Sequence, residues 1–226
     1  SRNIEAVRHR VEQAALRSAR QPEDVQIVAV SKTIGADLMQ QALRLGMAAL
    51  GENRVQEARE KHPEIEALLK EKDAQFHLVG HLQTNKAKEA VRLFDLIQSV
   101  DSERLAHELD QRAREIGKVQ RVLIEVNTSE ELTKFGVEPH DLMSLARVVR
   151  SLNNLRFEGL MTIGPLTGGT GGARACFQEL RNLWHELGGR ETLPILSMGM
   201  TQDFEIAIEE GATMIRVGSA IFGARQ

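Results

Sequence analysis

The run VQIVAVSK, residues 25–32, shows the composition of a strand that is buried on both faces. Val28, Ala29 and Val30 do not alternate with polar residues, which is typical of strands in a parallel sheet covered by helices. Seven further short runs rich in valine, isoleucine and leucine follow along the chain. The eight predicted strands are residues 25–31, 48–53, 76–81, 96–100, 121–127, 157–162, 195–199 and 214–218.

Longer amphipathic stretches separate several of these runs. Apolar residues recur at helical spacing over residues 105–116, 142–149 and 177–187, and glycines follow the first and third of these stretches as stop signals. Strands that alternate with helices predict a parallel α/β sheet. Eight such strands predict a single (β/α)8 TIM-type barrel, formed by residues 1–226 as one domain. Residues 4–15 predict an additional N-terminal helix, which we expect to cover the barrel seam.

Length and composition exclude several classes of protein. The chain of 226 residues suits one barrel, and its net charge of -3 lacks the basic excess of a nucleic-acid binder. Cys176 is the single cysteine, so no intrachain disulfide can form. No apolar run approaches the ~20 residues of a membrane span, and residues 1–5 do not resemble a signal peptide. We therefore expect a cytoplasmic protein that binds neither nucleic acid nor membrane.

A glycine-rich segment, GPLTGGTGG at residues 164–172, follows the sixth predicted strand. Barrel enzymes carry loops of the active site at this end of the strands, so the segment is expected to form a mobile rim loop. Its glycines do not complete a dinucleotide-binding fingerprint, because Arg174 stands where the third glycine is needed.

Lys32 ends the first strand, at the edge of an apolar core where desolvation disfavours a charged ammonium. A neutral lysine amine can form a Schiff base with an aldehyde, and pyridoxal phosphate is the commonest protein-bound aldehyde. The alternative is a lysine whose amine simply extends into solvent.

Arg216 lies within the eighth strand, which neighbours the first strand in a closed barrel. Lys32 and Arg216 can therefore face the same mouth. A buried guanidinium needs an acceptor, and a pyridine nitrogen that faces it would stay unprotonated, which weakens the ring as an electron sink. The alternative is a buried ion pair with Glu125 or Glu158.

Ser197-Met198-Gly199 closes strand seven and Gly218-Ser219 stands at the end of strand eight, so the loops that follow can expose backbone N–H groups, and residues 220–222 could form a short extra helix. Barrels often bind phosphate with these elements, although ordinary turns also need glycine. Asn53 and Asn127 end strands two and five, where each could reach a cofactor or cap its own loop. His77 and His81 are too far apart along one strand to share a metal ion, so no metal site is predicted.

Five segments of the chain together resemble the pyridoxal phosphate homeostasis (YggS/PROSC-like) family. They are AVSKT at 29–33, GENRVQE at 51–57, HLVGHLQTNK at 77–86, SMGM at 197–200 and RVGSAIFG at 216–223. The family is similar to the barrel domain of alanine racemase, the barrel of pyridoxal phosphate fold type III. One departure is His81, where bacterial relatives often have proline.

The resemblance implies that Lys32 carries pyridoxal 5'-phosphate as an internal aldimine and that Arg216 faces the pyridine nitrogen. It also implies that Ser197, Gly218 and Ser219 hold the phosphate and that Asn53 lies beside the ring. Members of the family act in intracellular cofactor and amino-acid balance without established catalysis, so we expect a carrier, monomeric, that serves pyridoxal-dependent apo-enzymes.

Two enzymatic alternatives remain at the level of sequence. An amino-acid racemase needs two proton-transfer groups on opposite faces of its substrate. In alanine racemases the second group is a tyrosine from another domain, and this chain contains no tyrosine. A phosphate-sugar enzyme with Lys32 as Schiff-base former is the other alternative, which an absorbance band from bound pyridoxal would distinguish.

Overall fold

Eight parallel strands close into a barrel in the order in which they occur along the chain. The computed structural model describes residues 2–129, 131 and 134–223. The strands are β1 Gln26–Val30, β2 Ala49–Glu52, β3 Gln75–Leu78, β4 Leu96–Val100, β5 Gln120–Glu125, β6 Leu155–Met161, β7 Ile195–Ser197 and β8 Met214–Val217. All eight predicted strands and the predicted fold class are confirmed. Most strands end before their predicted carboxyl ends, because the last residues of those runs leave the ladder to form rim loops.

Helices surround the barrel on its outer side. They are α1 Arg2–Arg17, α2 Ala36–Arg44, α3 Val55–Glu71, α4 Ala87–Leu93, α5 Glu103–Glu115, α6 Leu142–Ser151, α7 Gly169–Glu186, α8 Gly189–Thr192, α9 Phe204–Glu209 and α10 Ser219–Phe222. None of the helices within the described residues is long and apolar enough to cross a membrane.

The alternation of side chains along each strand produces two apolar layers. One lies between the strands and the helices and includes the fully buried Leu50, Ile97 and Leu160. The other fills the barrel interior and consists of Val28, Val30, Ala49, Val79, Leu96, Leu123, Met161, Ile195 and Met214. The interior of the barrel is therefore a packed core among the described residues, not an open channel.

Helix α1 packs against α9 and α10, the helices on either side of β8 in the chain. Arg10 on α1 donates two hydrogen bonds to Glu205 on α9, at 2.8 and 2.9 Å, and Arg20 just beyond α1 donates to the carbonyl oxygen of Ile208 at 2.9 Å. Because β8 pairs with β1, this is the place where the barrel closes. The prediction that the N-terminal helix covers the seam is confirmed.

The glycine-rich segment at residues 164–172 differs from its prediction. Helix α7 already begins at Gly169, so only the first half of the segment belongs to the rim loop. Gly168 adopts a φ of +94°, a left-handed conformation that suits glycine and turns the chain into the helix. Ala173, Cys176 and Phe177 bury one face of that helix at its beginning. This apolar face stabilises the first turns despite the glycines in them.

Candidate functional site

A cavity of about 510 Å³ opens at the carboxyl ends of the strands. Lys32 and Asn53 line it from the loops after β1 and β2, and Arg216 lines it from β8. The loop after β6 contributes residues 163–166, and the loop after β7 contributes residues 200–203. The structure thus brings Lys32, Asn53, Arg216, Gly218 and Ser219 together around one cavity.

Lys32 lies in the turn between β1 and α2, with its side chain exposed to solvent beside the cavity. The sequence led us to expect a partly desolvated amine, and that expectation was wrong. The ladder of β1 ends at Val30, so Lys32 stands two residues past the strand and outside its apolar surroundings. The amine is therefore accessible to a molecule that enters the cavity.

Arg216 is almost completely buried, and its guanidinium forms part of the cavity wall. Nη1 donates to Ser197 Oγ and Nη2 donates to the carbonyl oxygen of Thr162, both at 2.7 Å. Burial lowers the pKa of Arg216 to about 10, while the charges of Glu125 and Asp203 oppose that shift. Arg216 is therefore a cation at neutral pH that retains unused N–H donors.

The ion pair considered as an alternative for Arg216 does not form within the described residues. Glu158 instead pairs with Arg121 and Arg156, at 2.8 and 2.7 Å. Glu125 acts on Arg216 only through its charge, without a salt bridge. The acceptors that hold Arg216 are thus neutral, which leaves its charge available to a ligand.

Ser197 lies beneath the cavity and does not line it, in contrast to the prediction that it contacts a phosphate. Its hydroxyl is fully buried, donates to Gln98 Oε1 at 2.7 Å and accepts from Arg216. The side chain points into the barrel because Ser197 is still part of β7, where side-chain directions follow the strand alternation. Ser197 therefore holds Arg216 in place.

The loops after β7 and β8 meet at one wall of the cavity. Ser219 Oγ lies 3.2 Å from Thr201 Oγ1, and Gly218 and Gln202 complete this wall. In the part of the chain that the structure describes, the backbone N–H groups of Thr201, Gln202 and Ser219 have no hydrogen-bond partner. These hydroxyl and N–H groups suit an anion such as phosphate. The predicted short helix after β8 is α10.

The two asparagines that end strands have different surroundings. Asn53 lines the cavity, and its amide makes no hydrogen bond to any described residue. Gly80 packs directly against it, since a Cβ at Gly80 would clash with the carbonyl oxygen of Asn53. Asn127 caps its own loop, where its Oδ1 accepts from the Ser129 hydroxyl at 2.9 Å. Only Asn53 is thus available to a ligand.

The two histidines of β3 and its loop do not form a metal site. His77 lies inside the barrel, where burial lowers its pKa to about 3, and it contacts Gln75 and Gln98. His81 lies on the rim, stacked on the Phe135 ring at 3.7 Å between centroids. No group of metal-ligating side chains occurs among the described residues.

Glu125 is a buried acid whose charge acts on Arg216, and its position in the sequence indicated no role beyond that of an ion-pair partner. It ends β5 with its side chain inside the barrel, and Oε2 has no hydrogen-bond partner among the described residues. Burial raises its pKa from 4.5 to about 7, and Asp101 adds to that shift while Arg216 opposes it. Part of the Glu125 population is therefore protonated at neutral pH.

We expect Glu125 to make the chain less stable as pH rises. Since the folded-state pKa lies above the unfolded value, the native state binds more protons between about pH 4.5 and 7, and stability falls across this window. Relative to Glu125→Gln, the native chain should lose roughly 2 to 3 kcal/mol of unfolding free energy between about pH 5 and pH 8. Urea unfolding of both chains across this range measures the difference, and parallel curves would contradict it.

The class of protein to which the chain belongs follows from its similarity to known proteins. Residues 3–226 match the family model of the alanine racemase N-terminal domain. An alanine racemase from Clostridium difficile has the same fold, with a TM-score of 0.71, at 14% identity over 96% of this chain and 55% of its own. The barrel with a lysine after its first strand and an arginine in its last is thus an alanine-racemase-type domain.

Closer relatives define the family within that class. The chain is 42% identical to a pyridoxal phosphate homeostasis protein from Aquifex aeolicus, over 99% of this chain and 97% of the relative. A pyridoxal phosphate homeostasis protein from Escherichia coli is 37% identical, over 99% of this chain and 95% of the relative. PipY of Synechococcus elongatus, whose structure has pyridoxal phosphate bound, matches with a TM-score of 0.81 at 38% identity, over 95% of this chain and 100% of PipY. The chain belongs to the pyridoxal phosphate homeostasis protein family.

Proposed function

We propose that this chain binds pyridoxal 5'-phosphate in the cavity and takes part in intracellular homeostasis of that cofactor. The observation that carries the proposal is that an exposed amine, Lys32, and a buried cation, Arg216, line the same cavity. A relative that aligns with nearly the whole chain has been solved with pyridoxal phosphate bound. The cofactor supplies an aldehyde and an aromatic ring whose nitrogen can accept a hydrogen bond.

The residues around the cavity fit the three polar parts of this cofactor. The Lys32 amine attacks the aldehyde carbon, a C=N bond replaces C=O, and the oxygen leaves as water. Arg216 donates a hydrogen bond to the ring nitrogen and, as a cation, holds it unprotonated. The N–H and hydroxyl groups of Thr201, Gln202 and Ser219, together with Gly218, bind the phosphate. Asn53 offers its free amide beside the ring.

Ser197 has a different role in this proposal from the one that the family resemblance implied. Its hydroxyl bridges Gln98 and Arg216, so it orients the guanidinium that faces the ring. A hydroxyl with both neighbours inside the barrel has no free direction toward a phosphate. We therefore assign the phosphate to Thr201, Gln202, Gly218 and Ser219.

We propose carriage of the cofactor without catalysis, and a racemase as the weaker candidate. The cation at Arg216 opposes protonation of the ring and so weakens it as an electron sink. Among the described residues that line the cavity, Asp203 is the titratable group besides Lys32 and Arg216, and its Oδ1 already accepts the Met200 N–H at 2.6 Å. Exposure of Lys32 at the mouth favours release of cofactor to apo-enzymes.

We further propose that residues 1–226 act as one domain, as a monomer, in the cytoplasm.

The test begins with the purified chain incubated with pyridoxal 5'-phosphate. We expect a visible absorption band and, after borohydride reduction and proteolysis, one adduct on the peptide that contains Lys32. Absence of the band, or adducts spread over surface lysines, would contradict the proposal.

Two further measurements separate a carrier from a racemase. Transfer of the bound cofactor to an apo-enzyme tests carriage, and exchange of the amino-acid α-hydrogen with deuterated water tests racemisation. Exchange well above that of free cofactor would favour the racemase.

A further inference from the structure

A polar cluster lies directly under the Lys32 turn. We name it the Glu52 cluster, and it consists of Ser31, Glu52, Glu57 and Lys61. Lys61, from α3, donates to Glu52 Oε1 at 2.8 Å and to the carbonyl oxygen of Ser31 at 3.1 Å. Ser31 Oγ donates to the same Glu52 oxygen at 2.8 Å. These contacts fix the residue that precedes Lys32.

The residue that follows Lys32 is fixed by the same cluster. Thr33 has a φ of +64°, a left-handed conformation that a β-branched residue rarely adopts. Its backbone N–H donates to Glu57 Oε2 at 3.0 Å, and that oxygen lies 3.4 Å from Lys61 Nζ. A conformation of this kind persists only where the surroundings hold it, and the Glu57 carboxylate does so here.

Burial gives the cluster a defined geometry. The Glu52 side chain is fully buried and that of Lys61 is 15% exposed. Burial raises the pKa of Glu52, while Lys61 and Ser31 counteract the rise by their hydrogen bonds. A buried carboxylate with these two partners cannot move without losing them, so the cluster is a rigid support. The Lys32 side chain, by contrast, makes no hydrogen bond to any described residue.

We propose that Glu57 is a positioning residue, which holds the turn so that the Lys32 amine points into the cavity. Glu57 acts through its hydrogen bond from the strained Thr33 backbone. Lys61 and Glu52 in turn hold the Glu57 carboxylate in place. The inference rests on the proposed function, because it assigns a purpose to the geometry around Lys32. It adds a requirement that lies outside the cavity wall, on α3.

The test compares Glu57→Ala and Glu57→Gln with the native chain. Glu66→Ala is the matched control, because Glu66 lies on the same helix, outside the Glu52 cluster, and accepts from Lys70 at 2.6 Å. Two quantities are measured in each chain: the exchange rate of the Thr33 amide hydrogen and the rate at which pyridoxal 5'-phosphate forms its borohydride-reducible adduct. Thermal unfolding shows whether each variant is folded.

In Glu57→Ala we expect faster exchange at Thr33 and adduct formation about fivefold to tenfold slower, since one hydrogen bond to a carboxylate is lost. Glu57→Gln keeps an acceptor for the Thr33 N–H and should recover most of both quantities, and Glu66→Ala should change neither. Unchanged Thr33 exchange in Glu57→Ala would overturn the proposal, as would faster exchange with an unchanged adduct rate. If the native chain itself forms no adduct, the proposed function fails first and the positioning role fails with it.

Discussion

Lys32→Ala is expected to abolish the visible band of bound pyridoxal 5'-phosphate and the borohydride-reducible adduct. No other lysine lines the cavity among the described residues, so no second amine stands in its place. The phosphate and ring contacts remain, and we therefore expect weaker, non-covalent binding, with an affinity lower by about tenfold or more. Absorption spectra, mass spectrometry of the reduced protein and equilibrium dialysis measure the three effects.

Lys72→Ala is a suitable control for that variant, because Lys72 follows α3 on the surface, away from the cavity, and pairs with Glu71. It should keep the native spectrum, affinity and adduct. The exposed position of Lys32 means that its loss should leave the thermal unfolding temperature of the unliganded chain nearly unchanged. A Lys32→Ala chain that retains the band and a single adduct at full stoichiometry would show that the covalent site lies elsewhere.

Arg216→Met is expected to weaken cofactor binding by about 10- to 100-fold, the value of one charge-assisted hydrogen bond in a buried site. Methionine fills a similar volume, and Ser197 keeps Gln98 as its partner, so the chain should still fold. With the cation gone, the ring nitrogen becomes free to take a proton. We therefore also expect the pH dependence of the visible band to change.

A carbocyclic analogue of the cofactor, in which carbon replaces the ring nitrogen, separates this interaction from others. The native chain should bind the analogue more weakly than pyridoxal 5'-phosphate, whereas Arg216→Met should bind the two alike. Ser197→Ala keeps the guanidinium but removes one of its anchors, and an intermediate loss is expected. Equal discrimination by the native chain and Arg216→Met would show that Arg216 does not face the nitrogen.

The architecture was predictable because its signals are local. Each strand is a short apolar run, and the buried, non-alternating composition of residues 28–30 indicates a parallel sheet without any knowledge of the partners. The beginning of α7 was not predictable in the same way. Glycines such as Gly169 and Gly171 disfavour a helix on their own, and the buried face formed by Cys176 and Phe177 outweighs them only in the folded barrel.

The sequence predicted which strand ends form the candidate site. It did not predict the direction in which each side chain points. Lys32, Arg216 and Ser219 follow from the rule that barrel sites lie at the carboxyl ends of strands. The burial of Ser197 depends on the pairing register of β7, because a slip of one residue would turn its side chain to the opposite face. The role of Glu57 had no signal in the sequence, because it depends on a contact between α3 and a backbone N–H that only the fold creates.

The two strands that meet at the barrel seam are synthesised at different times. Lys32 belongs to the first βα unit of the barrel to leave the ribosome, and Arg216 belongs to the last strand of the barrel, which pairs with β1 only after the other seven strands have been synthesised. A nascent or truncated chain can therefore expose the reactive amine but cannot present the arginine beside it. We therefore expect Arg216 to contribute to cofactor binding only in chains in which β8 has already paired with β1.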